Sequence, residues 1–434
     1  MEKLVEKLKS RRKLSVREVR ELIRNRDKWP EDLSALLARR ALEMGENFYA
    51  YDIAENIPEN DPQSVVQKLH IMALALARSG SLERASELLK KLPDSDSTEI
   101  VGLKSRILKD MAVNTVDEEK KRELFKRSAE LSLSIFKQKN QYYNGINAAS
   151  CLFMAGEKNA AEKLIREEVL PLCQAVENPG LWEEATLGEC FLLLNDYEVA
   201  ATHYGTAANI ALQSGQLGNF ASTLKQFYML AANFPENSIQ LVIEKMHLPG
   251  IGIFSGHMID RPGRKIPRFP AYAEEQVRSE LAEIIRKRNI RIAFCSCACG
   301  GDILFLEEVL KAGGECFIVP PLPMEATISG SVDIIPGANW KERLFNIFKN
   351  DNVFVFEPEC DEIGVDDDAI VYDFTNRYIL GIAVFRSQTL HFPLFGVTVW
   401  NGEKSGLTGG TDSAIAHWQQ KNIPLDIVTP EIKK

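Results

Sequence analysis

The sequence predicts a helical solenoid over residues 1–245, followed by a Rossmann-like, mostly parallel α/β sheet domain over residues 246–434. Three observations predict this combination of α and α/β structure. Up to about residue 240, apolar residues recur at helical spacing, with loops marked by Pro or Gly. This helical half also repeats internally. From about Pro249 onward, short apolar runs rich in β-branched residues alternate with amphipathic stretches.

The repeats of the helical half are marked by a turn residue and by a small residue five positions later. The three pairs are Gly80 and Ala85, Gly156 and Ala161, and Asn195 and Ala200. Two helices of a hairpin can approach closely only where their side chains are short. The spacing therefore predicts stacked helical hairpins, with one divergent unit between about residues 100 and 136.

The segment around the third turn carries residues that relate these hairpins to known families. Its turn, aromatic, small, large and small positions are Asn195, Tyr197, Ala200, Tyr204 and Ala207. They resemble tetratricopeptide repeats, which implies a surface for a protein partner. Residues 142–234 also resemble the TRAF-binding regulatory region of apoptosis signal-regulating MAP kinase kinase kinases. The sequence has no kinase signature, so this resemblance implies an interaction module and not phosphorylation.

In the second half, six apolar runs predict strands and five amphipathic runs between them predict helices. The predicted strands are 251–254, 290–296, 315–322, 352–358, 394–401 and 423–428. The predicted helices are 271–289, 302–312, 339–350, 368–390 and 411–422. Strands separated by helices need crossover connections, which favour a parallel sheet covered on both faces.

Four loops fall at the carboxyl ends of predicted strands or at helix starts, where such sheets bind ligands. Their glycines and helix starts offer amides to an anion, and their arginines suit phosphate or carboxylate. The candidate nucleotide-binding residues are Ser255, Gly256, His257, Arg261, Arg264, Gly300, Gly301, Asp302, Asn376, Arg377, Gly409, Gly410, Thr411, Asp412 and Ser413. Two simpler roles stay open: Asp302 as a helix cap, and Arg377 paired with Asp373 four residues earlier.

Three of these turns, taken together, resemble the SLOG superfamily of Rossmann-like domains, which includes DprA and the LOG cytokinin-activating hydrolases. The turns are Ser255-Gly256-His257, Ala298 to Asp302, and Gly409-Gly410-Thr411. The resemblance covers about residues 248–430. It implies binding of a nucleotide or a nucleotide-derived ligand, of the NAD, ADP-ribose or cyclic nucleotide type.

The position of the hydrolases' catalytic glutamate bears on whether this chain is an enzyme. In the hydrolases of that superfamily the late turn carries this glutamate, and its place here is taken by Ala414. An alanine transfers no proton, so cleavage of a base–ribose bond would need another carboxylate. The candidates are Asp302, Asp412 and Asp373, and the sequence leaves open whether the chain is an enzyme.

Charge and composition disfavour several functional classes. The formal net charge is -9, and both halves hold more acidic than basic residues, which disfavours broad nucleic-acid binding. No apolar run reaches the roughly 18 residues that span a bilayer, and the charged start has no secretory apolar region. We therefore expect a cytoplasmic protein without membrane contact. Cys295, Cys297 and Cys299 would share one face of a strand, but no fourth ligand follows at metal spacing, so we predict no metal site.

These patterns together predict a two-part sensor or effector. The second domain would bind a nucleotide-derived small molecule, and the repeats would pass the bound state to a protein partner or to homo-oligomer formation. By analogy of fold, this pairing suits bacterial stress or antiphage signalling. Two alternatives stay open: a nucleotide N-glycosidase or phosphoribohydrolase, and a repeat scaffold whose Rossmann-like domain binds no ligand.

Overall fold

The computed structural model describes residues 2–9, 14, 18–19, 21–22, 25, 33–92, 98–356, 368–404 and 408–433. The chain divides into two compact units. The helical unit is centred on Val19–His247, and the α/β unit is centred on Leu248–Gln388 and Phe392–Lys434. No described helix combines the length and apolarity that crossing a bilayer would need.

The helical unit is built from successive α-helices that pack against their neighbours in the chain. Its α-helices are α1 (Glu2–Lys9), α2 (Leu33–Met44), α3 (Asn47–Glu55), α4 (Pro62–Arg78), α5 (Leu82–Lys90), α6 (Thr98–Val113), α7 (Glu118–Lys139), α8 (Tyr142–Met154), α9 (Lys158–Leu164), α10 (Leu170–Gln174), α11 (Leu181–Leu193), α12 (Tyr197–Ser214), α13 (Leu217–Ala231) and α14 (Glu236–Met246). One turn of π-helix, Ile165–Val169, joins α9 to α10.

The three predicted turns lie between the paired helices α4–α5, α8–α9 and α11–α12. Their turn residues all adopt left-handed backbone conformations, with φ of 85° at Gly80, 92° at Gly156 and 64° at Asn195. Glycine and asparagine tolerate this region best, which explains the residue types at these positions. The prediction of repeated helical hairpins is therefore confirmed.

Small residues let the paired helices pack closely, as the sequence predicts. The alanines that follow the three turns, Ala85, Ala161 and Ala200, are each no more than 1% exposed. The large position of the third repeat, Tyr204, is fully buried, and its ring packs edge-on against Phe227 at 5.4 Å. A methyl group on Gly188 would lie 2.9 Å from the Tyr204 ring, so this close packing requires glycine.

The α/β unit alternates strands with helices, as predicted. Its strands are β1 (Gly250–Phe254), β2 (Ile290–Cys295), β3 (Glu315–Ile318), β4 (Val353–Val355), β5 (Leu394–Val399) and β6 (Leu425–Val428). Its α-helices are α15 (Glu274–Lys287), α16 (Gly301–Lys311), α17 (Met324–Thr327), α18 (Trp340–Phe348), α19 (Asp368–Leu390) and α20 (Thr411–Gln420). A 3-10 turn, Ala271–Ala273, precedes α15, and a π turn, Ile328–Val332, follows α17.

All strand pairs in the sheet are parallel, and the strand order is β4-β3-β2-β1-β5-β6. The chain builds outward from β1 in one direction through β2, β3 and β4, and then places β5 on the other side of β1. The order therefore reverses between β1 and β5. In open α/β sheets, the carboxyl ends of the strands at such a point form a crevice that binds ligands.

The central strand β1 is apolar because both faces of the sheet are covered. All five residues of β1 are buried, and the ring of Phe254 stacks on Phe305 of α16 at 4.7 Å. Cys295, Cys297 and Cys299 belong to the same buried core. Burial raises the pKa of the Cys299 thiol to about 12, so it remains protonated and packs as a small apolar group.

Candidate functional site

A cavity of about 600 Å³ opens at the carboxyl ends of the strands where the sheet order reverses. We call it the strand-edge cavity. Residues from the ends of β1 and β5 contribute to its wall, together with the N-terminus of α20 and one side of α19. Its volume lies within the range of about 300–1,000 Å³ that is typical of small-molecule sites.

The loop after β1 supplies Ser255, Gly256 and His257, and all three line the cavity. The loop is fixed to the end of β5 by backbone and side-chain bonds. The amide of His257 donates to the carbonyl of Val399 at 2.9 Å, and the hydroxyl of Thr398 donates to the carbonyl of Ser255 at 2.6 Å. These bonds fix the position of the loop where the strand order reverses, as a preformed site requires.

The imidazole of His257 is buried and shares a hydrogen bond of 2.9 Å with the Oδ1 of Asn401. Burial lowers the pKa of His257, and this outweighs the opposing effect of the bond to Asn401. The ring is therefore neutral at pH 7 and suits hydrogen bonding better than charge pairing.

The glycine turn before α16 is used for close contact between loops. Gly300 has a φ of 97° and forms an antiparallel bridge with Met258. The amide of Gly301 donates to the carbonyl of His257 at 3.1 Å. The structure thus brings both glycines beside the β1 loop, with the Gly301 amide engaged there. Their predicted contact with a nucleotide remains a prediction.

The basic residues of the first loop separate into two groups. Arg264 and Arg268 line the cavity, and Lys404 joins them from the loop after β5. Arg261 is exposed and lies outside the described cavity lining. Arg264 is paired with Asp260 at 3.2 Å, whereas no described carboxylate pairs with Arg268, whose buried Nε has no hydrogen-bond partner. Arg268 is therefore the guanidinium best placed for a ligand anion.

The N-terminus of α20 forms another part of the wall through Gly410, Thr411 and Asp412. A helix start attracts anions through its amides and its dipole. Gly409 also lines the cavity and has a φ of 83°, and its carbonyl accepts a bond of 3.1 Å from Asn376. The turn 409–413 and Asn376 of α19 are thus brought together at this end of the cavity.

Asp373, Arg377 and Ser413 form a separate cluster with His417. Arg377 pairs with Asp373 at 2.7 Å, as in the simpler of its two predicted roles. Ser413 donates to Asp373 at 2.9 Å, and His417 lies 3.1 Å from the same carboxylate oxygen. Burial raises the pKa of Asp373, but the bonds from His417, Arg377 and Ser413 outweigh it and hold the pKa below its usual value. An ionised carboxylate with three partners is a poor proton donor.

Asp302 is the buried carboxyl group of the strand-edge cavity. It lies in the first turn of α16, where Gly300 and not Asp302 holds the N-cap position. Its Oδ2 accepts a bond of 3.0 Å from the amide of Ala298. Burial raises the pKa of Asp302 to about 7, while hydrogen bonds from the amides of Ala298 and Gly256 oppose the rise. A carboxyl group that titrates near neutral pH in a cavity can act as a general acid.

The raised pKa of Asp302 predicts a pH dependence of stability. The unfolded chain titrates this group near pH 4, so between about pH 4 and pH 7 the folded state binds the extra proton. Its contribution to stability is complete below pH 4 and is lost as the pH rises to about 7, by on the order of 4 kcal/mol. Urea unfolding between about pH 4 and pH 7 measures how the free energy of unfolding changes with pH. Asp302→Asn should remove the part of this slope that the carboxyl group contributes. An unchanged slope in the variant would contradict the assignment.

Several cavity residues were not predicted from the sequence. The cavity is also lined by Tyr372, Trp400, Lys404, Ser296 and Arg268. Trp400 directly follows β5, and Ser296 directly follows β2. The sequence placed both within the carboxyl ends of the predicted strands 394–401 and 290–296, and that position was a usable signal for both. Tyr372 lies near the start of a helical pattern, and only the packing of α19 brings it to the cavity.

Comparison with known proteins gives one family match. Residues 46–152 match the family model TPR-S, described as Tetratricopeptide Repeats-Sensor. The matched residues all lie in the helical unit, and they confirm the tetratricopeptide-like character of this segment. The curated proteins contain no match. Among solved structures, a monoclinic form of Haemophilus influenzae LpoA aligns at 10% identity with a TM-score of 0.23, covering 98% of this chain and 76% of that chain. A likeness at that score supports no argument about fold or function.

Proposed function

We propose that the chain is a sensor whose α/β unit binds a nucleotide-derived small molecule in the strand-edge cavity. The observation that carries the proposal is the position of this cavity. It lies at the carboxyl ends of β1 and β5, on either side of the reversal in strand order. Ligands of open α/β sheets bind at this position regardless of their chemistry, so the lining must define the ligand class.

The cavity lining favours an anionic ligand with a flat ring. Arg264, Arg268 and Lys404 supply positive charge, and the start of α20 adds its amides. Tyr372 and Trp400 line the same cavity, and their aromatic rings offer surfaces on which a base can stack. In a nucleotide, the phosphate would contact the cations and amides, and the base would stack on the aromatic rings. The resemblance of the glycine turns to the SLOG superfamily agrees with this ligand class.

The sensor role rests on the helical unit. The match of residues 46–152 is to repeats described as a sensor, and stacked helical repeats typically bind protein partners. In our proposal the repeats pass the bound state to a protein partner or to a second copy of the chain. Bacterial stress or antiphage signalling is the setting that this combination suits, by analogy of fold.

A melting-temperature screen tests ligand binding. Mono-, di- and cyclic nucleotides, NAD and ADP-ribose are added to the full chain, because a ligand present at 100 times its Kd stabilises the folded state by about 2.7 kcal/mol. We expect at least one of them to raise the melting temperature. Arg268→Gln should weaken that ligand's binding by roughly tenfold or more, through loss of a charged partner.

The matched control is Arg261→Gln, which removes an arginine of the same loop that lies outside the described cavity lining. We expect it to bind the ligand like the parent chain. If no nucleotide stabilises the protein, or if the two arginine variants lose affinity equally, the strand-edge cavity is not the nucleotide site.

A second candidate function is N-glycosidic cleavage, and one observation favours it. Asp302 lies in the cavity with a pKa of about 7, so part of the population holds a proton that could be given to a leaving base. Asp412 also lines the cavity, whereas Asp373 is engaged by three partners. Mass spectrometry of the bound nucleotide separates the two functions. A sensor leaves the nucleotide intact. A glycosidase releases free base, and Asp302→Asn should abolish that release.

A further inference from the structure

The helical unit contains a partly open cavity of its own, with a volume of about 320 Å³. We call it the repeat cavity. Its wall is formed by side chains from five helices, α6, α7, α8, α11 and α13, and by His391, which belongs to the same unit. One face of α6 runs along the cavity, with Gly102, Arg106 and Asp110 about one helical turn apart and Lys109 next to Asp110. The proposed function assigns no role to this cavity.

Cations outnumber accessible carboxylates in the repeat cavity. Arg106, Lys109 and Lys225 all line it. The ammonium of Lys225 lies 2.9 Å from the carboxylate of Asp110, and Arg106 lies 3.9 Å from the same oxygen atom. Burial lowers the pKa of Lys225, and the charges of Arg106 and Lys109 lower it further against the attraction of Asp110. One carboxylate is thus shared by two cations.

Lys109 is bound by neutral groups. Its ammonium donates to the Oδ1 of Asn147 at 3.0 Å and to the Oε1 of Gln226 at 2.5 Å, and no described carboxylate pairs with it. The second carboxyl group of the cavity, Glu189, is buried and accepts bonds from Ser150 and Gln226. Burial raises the pKa of Glu189, against the opposing bonds from Ser150 and Gln226 and the charge of Lys109.

A further arginine adds positive charge beside the cavity. The guanidinium of Arg78 donates to the carbonyl of Leu42 at 2.6 Å and to Asn219 at 3.2 Å, and its buried Nε has no hydrogen-bond partner. No described carboxylate lies in salt-bridge distance of it. Burial, with repulsion by Arg106, lowers the pKa of Arg78 to about 9. The region therefore holds an excess of positive charge in a unit that is acidic as a whole.

Aromatic rings form another part of the wall. Tyr143 and Trp182 both line the cavity and pack edge-on, with ring centres 5.7 Å apart. Trp182 lies in the first turn of α11, and Tyr143 lies in the first turn of α8. A flat ring placed against them would bury apolar surface and gain edge-to-face contacts.

We propose that the repeat cavity binds a small organic phosphate that carries a flat ring. The phosphate group lies against Arg106, Lys109 and Lys225, and the ring lies against Tyr143 and Trp182. A phosphate monoester carries about -1.5 to -2 charges at pH 7. It therefore balances the three cations better than a ligand with a single carboxylate would. The proposal concerns the helical unit and does not rest on the nucleotide site of the α/β unit.

Isothermal titration of the full chain with AMP, phenyl phosphate and adenosine tests the proposal. AMP and phenyl phosphate carry both the ring and the phosphate, whereas adenosine lacks the phosphate. We expect the two phosphates to bind and adenosine to bind at least about tenfold more weakly, through loss of the charge-assisted bonds. Lys109→Gln should weaken phosphate binding by about tenfold or more for the same reason.

Two substitutions at Gly102 locate the binding event. A methyl group on Gly102 meets no atom within 4 Å, so Gly102→Ala should retain binding, while Gly102→Phe places a ring in the cavity and should abolish it. Arg268→Gln, which alters the strand-edge cavity, should leave this binding unchanged and so separates the two sites. Circular dichroism checks that each variant is folded, and Lys109→Gln tests the site without filling it.

The proposal is overturned if neither phosphate binds the parent chain, or if adenosine binds as tightly as AMP. It is also overturned if binding survives in both Lys109→Gln and Gly102→Phe and is lost in Arg268→Gln. That last result would assign the binding to the strand-edge cavity and would leave the proposed function intact.

Discussion

Replacing Gly300 by alanine should destabilise the α/β unit by roughly 3 kcal/mol or more. Gly300 has a φ of 97° and a ψ of -123°, a conformation that side chains other than glycine's rarely adopt. A methyl group there would lie 2.5 Å from the amide nitrogen of Ile259 and 3.0 Å from the carbonyl carbon of Met258. Both atoms belong to backbone, so neither can turn aside as a flexible side chain could.

Gly313→Ala is the matched control for this prediction. Gly313 also has a positive φ, of 75°, but a methyl group on it would meet no atom within 4 Å. We expect this substitution to cost only the conformational strain, about 1 kcal/mol. Calorimetric melting of the two variants compares them directly. Equal losses would mean that the contact between the Gly300 turn and the β1 loop does not support the fold.

The second large effect is expected at Gly218, in the first turn of α13. A methyl group on Gly218 would lie 2.3 Å from the amide nitrogen of Gly45 and 2.3 Å from the carbonyl oxygen of Leu42, at the end of α2. Because the helix end and α13 meet backbone to backbone, Gly218→Ala should force the helices apart. We expect a loss of about 2–4 kcal/mol in the stability of the helical unit.

Gly102→Ala serves as the control within the same unit. Gly102 lies inside α6, and a methyl group on it meets no atom within 4 Å. Alanine is the better helix former, so this change should be neutral or should stabilise the unit by up to about 1 kcal/mol. Urea unfolding followed by circular dichroism at 222 nm measures both variants. A loss of unfolding free energy in Gly218→Ala, without a loss in Gly102→Ala, supports the packing described at Gly218. An unchanged unfolding free energy in Gly218→Ala would contradict it.

The sequence predicted the elements of both units because their signals are local. Helical spacing and left-handed turn residues mark the hairpins, as at Gly80 and Gly156, and apolar runs mark the six strands. Prediction failed at element ends and short segments. β3 was predicted to reach residue 322 but ends at Ile318, because Pro320 and Pro321 have no amide to donate to a neighbouring strand. Residues 357–358 of the predicted fourth strand lie outside the described residues.

The candidate site was predictable only in part, because its partners are far apart in sequence. The carboxyl ends of strands were correctly expected to come together. Most candidate residues of the loop after β1, and most of those in the turn 409–413, line the cavity. The sequence could not show that the Gly301 amide bonds to His257, and it left open whether Arg377 pairs with Asp373. It also could not rank Arg268 above Arg261, since only the folded loop decides which of them faces the cavity.

The central claim is that a nucleotide-derived ligand occupies the strand-edge cavity, and hydrogen–deuterium exchange of the full chain tests it most directly. The nucleotide that gives the largest increase in melting temperature is added, and exchange is compared with and without it. Bound ligand should slow exchange in residues 255–268, 400–404 and 409–413, and this protection should be lost in Arg268→Gln and kept in Arg261→Gln. Unchanged exchange in all three segments, with the nucleotide bound, would contradict the account.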